Sequence, residues 1–254
     1  MDFLITIYSK ISPLTDILAK FLNTLQPFFE VCTKLANGFV SALFLFALTL
    51  VFALPLGLLM SFCTMSKFAP IRFPMKIIVW ILRGTPLMLQ IFAIFYLPGM
   101  LNIFVWPQMN TGWLWFDNTF STRFIAALAA FIINYAAYFS EIYRGGIESI
   151  SKGQYEAGQV LGLTKKQVFF KIVLLQVIKR IIPPMSNEII TLIKDTSLAN
   201  TIAVYELIYH AKELMTVKGL IWPLFLAGAF YLIFVGILTI VLGKIEKKLD
   251  YFKA

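Results

Sequence analysis

An all-α membrane protein with about five transmembrane helices is the fold class that this sequence predicts, on three observations. Of its 254 residues, 59% are hydrophobic and only 14% are charged, and mean hydropathy is +0.82. So little polar surface could not cover a soluble domain. The apolar residues gather in blocks long enough to cross a bilayer, at roughly 20 residues per crossing. The basic residues behind the net charge of +9 lie between those blocks, a placement that reads as topology signal and lipid contact, with no nucleic acid bound.

Taken in order, residues 1–35 read as an amphipathic, interfacial segment with breaks at Pro13 and Pro27. Its Phe21, Leu22, Leu25, Phe28 and Phe29 recur at near-helical spacing, as for a helix lying along the bilayer surface. From Leu35 to Ser66 there is no charge, which predicts a first span over about 39–62; Lys67, Arg72 and Lys76 follow in a short loop. The second span is expected over about 80–104, with Arg83 near its start. Trp106 to Ser121 holds Trp113, Trp115 and Asp117 but no Lys or Arg, the composition of an outer interfacial loop. A third span covers about 123–143. After a basic loop over about 144–180, Pro183 and Pro184 introduce a polar fourth span over about 184–209. Gly219 to Gly243 is the fifth, so the membrane domain covers 36–245; Lys244 follows the span, and a tail of 246–254 with Lys247, Lys248 and Lys253 closes the chain.

With the N-terminus outside, the inner loops receive Lys67, Arg72, Lys76, the 144–180 basic set and the tail lysines. The later outer loops then hold Lys212 and Lys218, with Arg123 at a border. The opposite orientation puts most basic residues outside, so the expected topology is N-out and C-in.

Catalytic and metal chemistry find little to work with. His210 is the single histidine, and Cys32 and Cys63 have no redox or metal spacing and read as apolar packing residues. There is no phosphate-cradling glycine loop, and the N-terminus does not look like a removable signal peptide.

The inner loop carries the strongest signal. Ser151 with Gln154, and Thr164 with Gln167, fit capping boxes. They predict a helix over about Lys152–Leu161, a left-handed turn at Gly162 and a second helix from Lys165. The second helix sets Val168, Phe169, Ile172, Val173 and Gln176 on one side. Ala157 and Gly158 would let a partner surface approach the first helix closely. A polar hairpin with Lys165, Lys166, Lys171, Lys179 and Arg180 between apolar blocks suggests a soluble protein docking on it. Otherwise it is an amphipathic hairpin on lipid headgroups.

Glu156-Ala157-Gly158, then Gly162, then Ile172-Val173-Leu174 resembles the "Glu-Ala-Ala, three residues, Gly, nine residues, Ile-x-Leu-Pro" loop of ATP-binding-cassette (ABC) importer permeases. It departs from that pattern with Gly158 for the second Ala and Leu175 for Pro, and the missing Pro should straighten the second helix. Arg83-Gly84-Thr85-Pro86-Leu87 with Gln90, Ala137-Tyr138, Glu141, Arg144-Gly145, Gly153-Gln154 and Lys194-Asp195-Thr196-Ser197-Leu198 are similar to the polar amino-acid branch. The resemblance covers about 38–245. It implies the type I importer permease fold, a multi-pass subunit of a bacterial plasma membrane, and a cytoplasmic coupling helix. Gly153, Gln154, Glu156, Ala157, Gly158 and Gly162 would contact the ATPase. It further implies an ABC ATPase dimer that holds ATP and Mg, an extracellular or periplasmic amino-acid-binding protein, and a second permease copy or paralogue. This chain itself would bind no cofactor and hydrolyse nothing.

Ionisable groups within a bilayer cost about 2.5 to 3.5 kcal/mol each on insertion scales, so they face a cavity or a partner. Asn134, Tyr138 and Glu141 share one helix face, as do Glu188, Thr191 and Asp195, flanked by Asn187 and Lys194. Two such stripes suit the path of a zwitterion, with Glu141 and Glu188 as acceptors for an ammonium and Asn134, Thr191 and Ser197 as neutral contacts. Simpler readings stand beside this one. Glu141 can pair with Arg144 one turn away, Lys194 and Asp195 can pair locally or across subunits, Arg83 can snorkel, and Thr85-Pro86 can mark a helix start or kink. A self-sufficient secondary transporter is the alternative function; it would usually show internal repeats, and none is visible.

Overall fold

The computed structural model describes residues 2–107 and 120–249, with side chains from residue 26 onward. The predicted outer loop through Trp113, Trp115 and Asp117, the tail residue Lys253 and the Phe21, Leu22, Leu25 stripe lie outside the described side chains. Every regular element among the described residues is helical.

Helix α1 runs unbroken over Asp2–Met65, so Pro13 and Pro27 are not breaks. A proline's fixed φ is helical, and each one removes a single hydrogen bond. Ending a helix in apolar surroundings would strand several backbone groups. Its apolar part, Gln26–Met65, is long enough to span a membrane, as are α4 (Thr122–Glu148) and α9 (Trp222–Leu249).

The second predicted span is not one helix. It consists of α2 (Ala69–Gly84) and α3 (Leu87–Met100), bent by 110° at Thr85-Pro86. The residue before a proline is excluded from the helical region, and Thr85 is accordingly extended at φ −116°, ψ 145°. The fourth predicted span is also divided. Helix α7 (Leu174–Asp195) passes through Pro183 and Pro184, both on its exposed flank, so their missing amides leave the core ladder intact. A 3-10 segment, Thr196–Ile202, then leads through left-handed Ala203 (φ 55°) to α8 (Leu207–Lys218). Glu206 caps α8, its buried carboxylate accepting from the Ile208 and Tyr209 amides at 2.8 and 2.7 Å.

Helix α4 is the centre of the molecule and packs most extensively on α1. Ser121 caps its start, accepting from the Phe124 amide. The core sets Leu45 and Ala53 of α1 against Ala127, Ala130, Phe131, Ala136 and Phe139 of α4, with Leu192 and Ile193 of α7. Small residues on α4 admit close approach, and the large side chains fill the remaining volume. Midway along α1, Lys34 pairs with Glu213 of α8 at 2.8 Å, and His210 lies 3.2 Å from the same carboxylate.

Candidate functional site

The inner hairpin is built from α5 (Lys152–Val160), α6 (Lys165–Val168), a π turn (Phe169–Val173) and the start of α7. Thr164 forms the expected capping box: its hydroxyl accepts from the Gln167 amide, and its own amide donates to Gln167 Oε1 at 2.9 Å. Ser151 does not form one, because Gln154 turns outward and its Oε1 accepts from Gln176 Nε2 at 3.2 Å, tying α5 to α7. Gly162 turns the chain at φ +74°, as expected. With Leu at 175 the backbone is helical from Lys165 to Asp195, with the π turn inserted. That turn accommodates one extra residue, so Val168, Val173, Val177 and Ile181 form the buried line, with Ile150 against them. Phe169 and Ile172, placed in that line by regular spacing, are less buried. Arg180 donates to the Ser149 carbonyl and ties the hairpin to the end of α4.

The small pair on α5 divides its work. Gly158 is buried, and a Cβ there would stand 2.5 Å from Val168 Cγ2, so this glycine lets α5 close on α6 and presents nothing to a partner. Gly153, Gln154, Glu156, Ala157 and Gly162 remain exposed. Beside Gly162, Val160 and Leu161 are 88% and 75% exposed, an apolar tip that spacing arguments passed over. Its signal in the sequence is a Val-Leu pair on a polar helix, where a solvated surface has no use for it.

The α4 stripe faces the break between α2 and α3. Gln90 Nε2 donates to Leu82 O at 2.7 Å, to Thr85 Oγ1 at 2.8 Å and to Thr85 O at 3.2 Å. Asn134 Nδ2 donates to Gln90 Oε1 at 3.0 Å and to Leu82 O at 3.2 Å. The Tyr138 hydroxyl donates to Arg83 O at 3.5 Å, and the Arg83 guanidinium lies 5.4 Å from the Tyr138 ring centroid. A 110° bend frees backbone carbonyls, and these side chains receive them. Glu141 accepts from Arg144 Nε and Nη2 at 3.0 and 2.6 Å, while Arg83 stands at 3.6 Å and Arg144 also reaches Glu148 at 2.6 Å. The local pairing of Glu141 with Arg144 is therefore present, within a four-member charge network.

On α7 the arrangement is more open. The hydroxyls of Thr191 and Ser197 donate to their own helix, at Asn187 O (3.0 Å) and Lys194 O (2.7 Å). Asp195 accepts from the buried Tyr135 hydroxyl at 2.7 Å and not from Lys194. Tyr135 was hidden in the sequence because an aromatic beside alanines reads as core. Glu188 is half-buried, makes no hydrogen bond or ion pair among the described residues, and feels the charges of both Asp195 and Arg83. No group of metal-ligating side chains occurs among the described residues. The arrangement can thus offer a solute a polar wall with one uncommitted carboxylate, attached to a hairpin with an apolar tip.

The L-cystine transport system permease protein TcyB of Bacillus subtilis is 37% identical to this chain over 223 residues, covering 87% of this chain and 88% of that protein. The arginine ABC transporter permease protein ArtM of Haemophilus influenzae is 33% identical over 233 residues, covering 89% and 96%. Among solved structures, an amino acid ABC transporter crystallised with histidines superposes with a TM-score of 0.75 at 25% identity, covering 88% of this chain and 98% of that one. Residues 53–251, through both the bent α2–α3 pair and the hairpin, match a family profile of transport permeases. The chain belongs to the family described as binding-protein-dependent transport system inner membrane component.

Proposed function

We propose that this chain is the N-out, C-in, five-pass permease subunit of an importer of polar amino acids in a bacterial plasma membrane. The observation that carries the reading is the hairpin: a capped, glycine-turned helix pair, anchored on α4 and α7, displaying an apolar tip at Val160 and Leu161. The names of its relatives, permeases for cystine and arginine, support an amino-acid cargo. ATP and Mg belong to a partner ATPase dimer whose cleft receives α5. An extracellular or periplasmic binding protein delivers the amino acid to the outer loops, and a second permease copy or paralogue completes the pathway. Motor closure draws the hairpins together and changes access across the membrane, which requires that nucleotide stabilise one conformation over the other.

Within the pathway Glu188 is the first acceptor for an ammonium or cationic side chain, because its carboxylate is uncommitted. Glu141 contributes through a network that Arg83 and Arg144 already neutralise. Tyr138, Thr191, Asp195 and Ser197 complete the wall, whereas Asn134, 3% exposed and bonded to Gln90 and Leu82, supports it from behind and is not itself a contact. In nanodiscs holding the whole complex, Glu188→Gln should lower stimulation of ATPase by binding protein plus amino acid about tenfold, one lost charge-assisted contact. Basal ATPase and assembly should persist. Unchanged transport in both Glu141→Gln and Glu188→Gln makes these glutamates structural, and uptake by the chain without any ATPase makes it a secondary transporter.

A further inference from the structure

A half-enclosed cavity of about 340 Å³ opens between the start of α7 and the end of α9, lined by none of the residues assigned to the coupling tip or the polar wall. Its lining combines two lysines, Lys179 and Lys247, one carboxylate, Glu246, and an apolar wall of Ile182, Pro183 and Leu249. Lys179 and Glu246 are half-buried, whereas Lys247 is exposed.

We infer that this cavity holds the headgroup of an anionic phospholipid of the phosphatidylglycerol type. A phosphodiester sits between the two ammonium groups, its terminal hydroxyls donate to Glu246, and the first acyl methylenes lie on Ile182, Pro183 and Leu249. A bare anion would use the lysines but leave the carboxylate opposed and the apolar wall empty. A choline headgroup carries the phosphate but no hydroxyl or N–H to donate. The position suits this ligand: the cavity lies where an apolar helix passes into its last, lysine-bearing turns, the level of headgroups. The inference rests on the membrane-spanning reading proposed above and assigns the lipid to the inner leaflet.

The test uses the complete transporter in nanodiscs containing phosphatidylglycerol and phosphatidylcholine, with co-purifying lipid quantified by mass spectrometry. Wild type should retain phosphatidylglycerol over phosphatidylcholine, and Lys179→Gln with Lys247→Gln should lower that retention about thirtyfold for two lost cationic contacts. Lys212→Gln with Lys218→Gln, at the other end of the molecule, should leave it unchanged. Glu246→Gln should shift the balance toward phosphatidylcholine. Equal retention in the wild type and the cavity variant overturns the proposal. So does saturable thermal stabilisation by inorganic phosphate in all-phosphatidylcholine discs, which assigns the site to free anions. Labelling of Lys248→Cys, outside the cavity lining, from the outer face would instead refute the orientation, leaving phospholipid retention intact.

Discussion

At Gly162 the backbone holds φ +74° with open space around it, so any penalty of substitution there is conformational and not steric. A β-branched side chain resists that region by roughly 1–2 kcal/mol, enough to shift the turn that aims Val160 and Leu161. Gly162→Val should therefore reach the membrane in normal amount yet lose most binding-protein-stimulated ATPase, while Gly162→Asn keeps more of it. Wild-type uptake by the valine variant would refute the coupling role. On the opposite side of the molecule, Lys34 holds the Glu213 carboxyl below its ordinary value of 4.5. Burial pushes the His210 imidazole below 6.5, against the Glu213 charge that acts to raise it. For Glu213, a depressed folded pKa means stability is fully present above about 4.5 and lost as pH falls through the folded value. For His210 the unfolded chain takes up its proton first, so stability declines as pH drops below about 6.5. Thermal unfolding in detergent should fall toward acid in both windows. Lys34→Met should flatten the lower window and His210→Gln the upper, and parallel curves for all three proteins would show the cluster to be inert.

Among the elements, the bent α2–α3 pair and the hairpin show how far local signals carry. Thr85-Pro86 marks a possible kink in any reading, but its 110° angle depends on Gln90, Leu82 and Asn134, and Asn134 is 52 residues from Leu82. The capping box at Thr164 and the turn at Gly162 were legible because both are made within four residues. The π turn, the passage of α7 through Pro183 and Pro184 and the inward face of Gly158 were not, since packing between segments decides each one. Two consequences can be measured. Gln90→Leu strips the Leu82 and Thr85 carbonyls of a shared donor, which should cost about 1–3 kcal/mol. Adding Asn134→Leu should cost less than the sum, because the two amides serve one network; strict additivity in unfolding measurements would dissolve that network. Gly158→Ala drives a methyl into Val168, so it should loosen the hairpin and impair coupling, and Val168→Ala should restore it by returning the space. A failure of that rescue would mean Gly158 acts on the ATPase and not on its own helix pair.

For the whole molecule the distribution of burial sets the assembly. The most apolar part of α4 is 56% buried within the chain, whereas that of α9 is 6% buried, so α4 is the pivot and α9 meets lipid or another chain. Helix α2 presents Phe73 and Trp80 outward, at 68% and 75% exposure. On the α7 side of the polar wall, half-buried Glu188 has no hydrogen-bond or ion-pair partner among the described residues, and it cannot face hydrocarbon at an acceptable cost. The second permease chain proposed above would supply a facing wall and enclose a hydrophilic path. The complete transporter should therefore contain two permease chains by native mass spectrometry, with either two copies of this one or this one and a paralogue. Spin labels at position 161 on the two chains should draw closer when the ATPase is trapped with nucleotide, because α5 is held to α7 through Gln154 and Gln176, and α7 to the end of α4 through Arg180. A fully active, monodisperse complex with one permease chain would refute the enclosure. Unchanged label distances on nucleotide binding would leave the dimer standing but remove the hairpin as its lever, since a rigidly anchored element cannot transmit a motion it does not undergo.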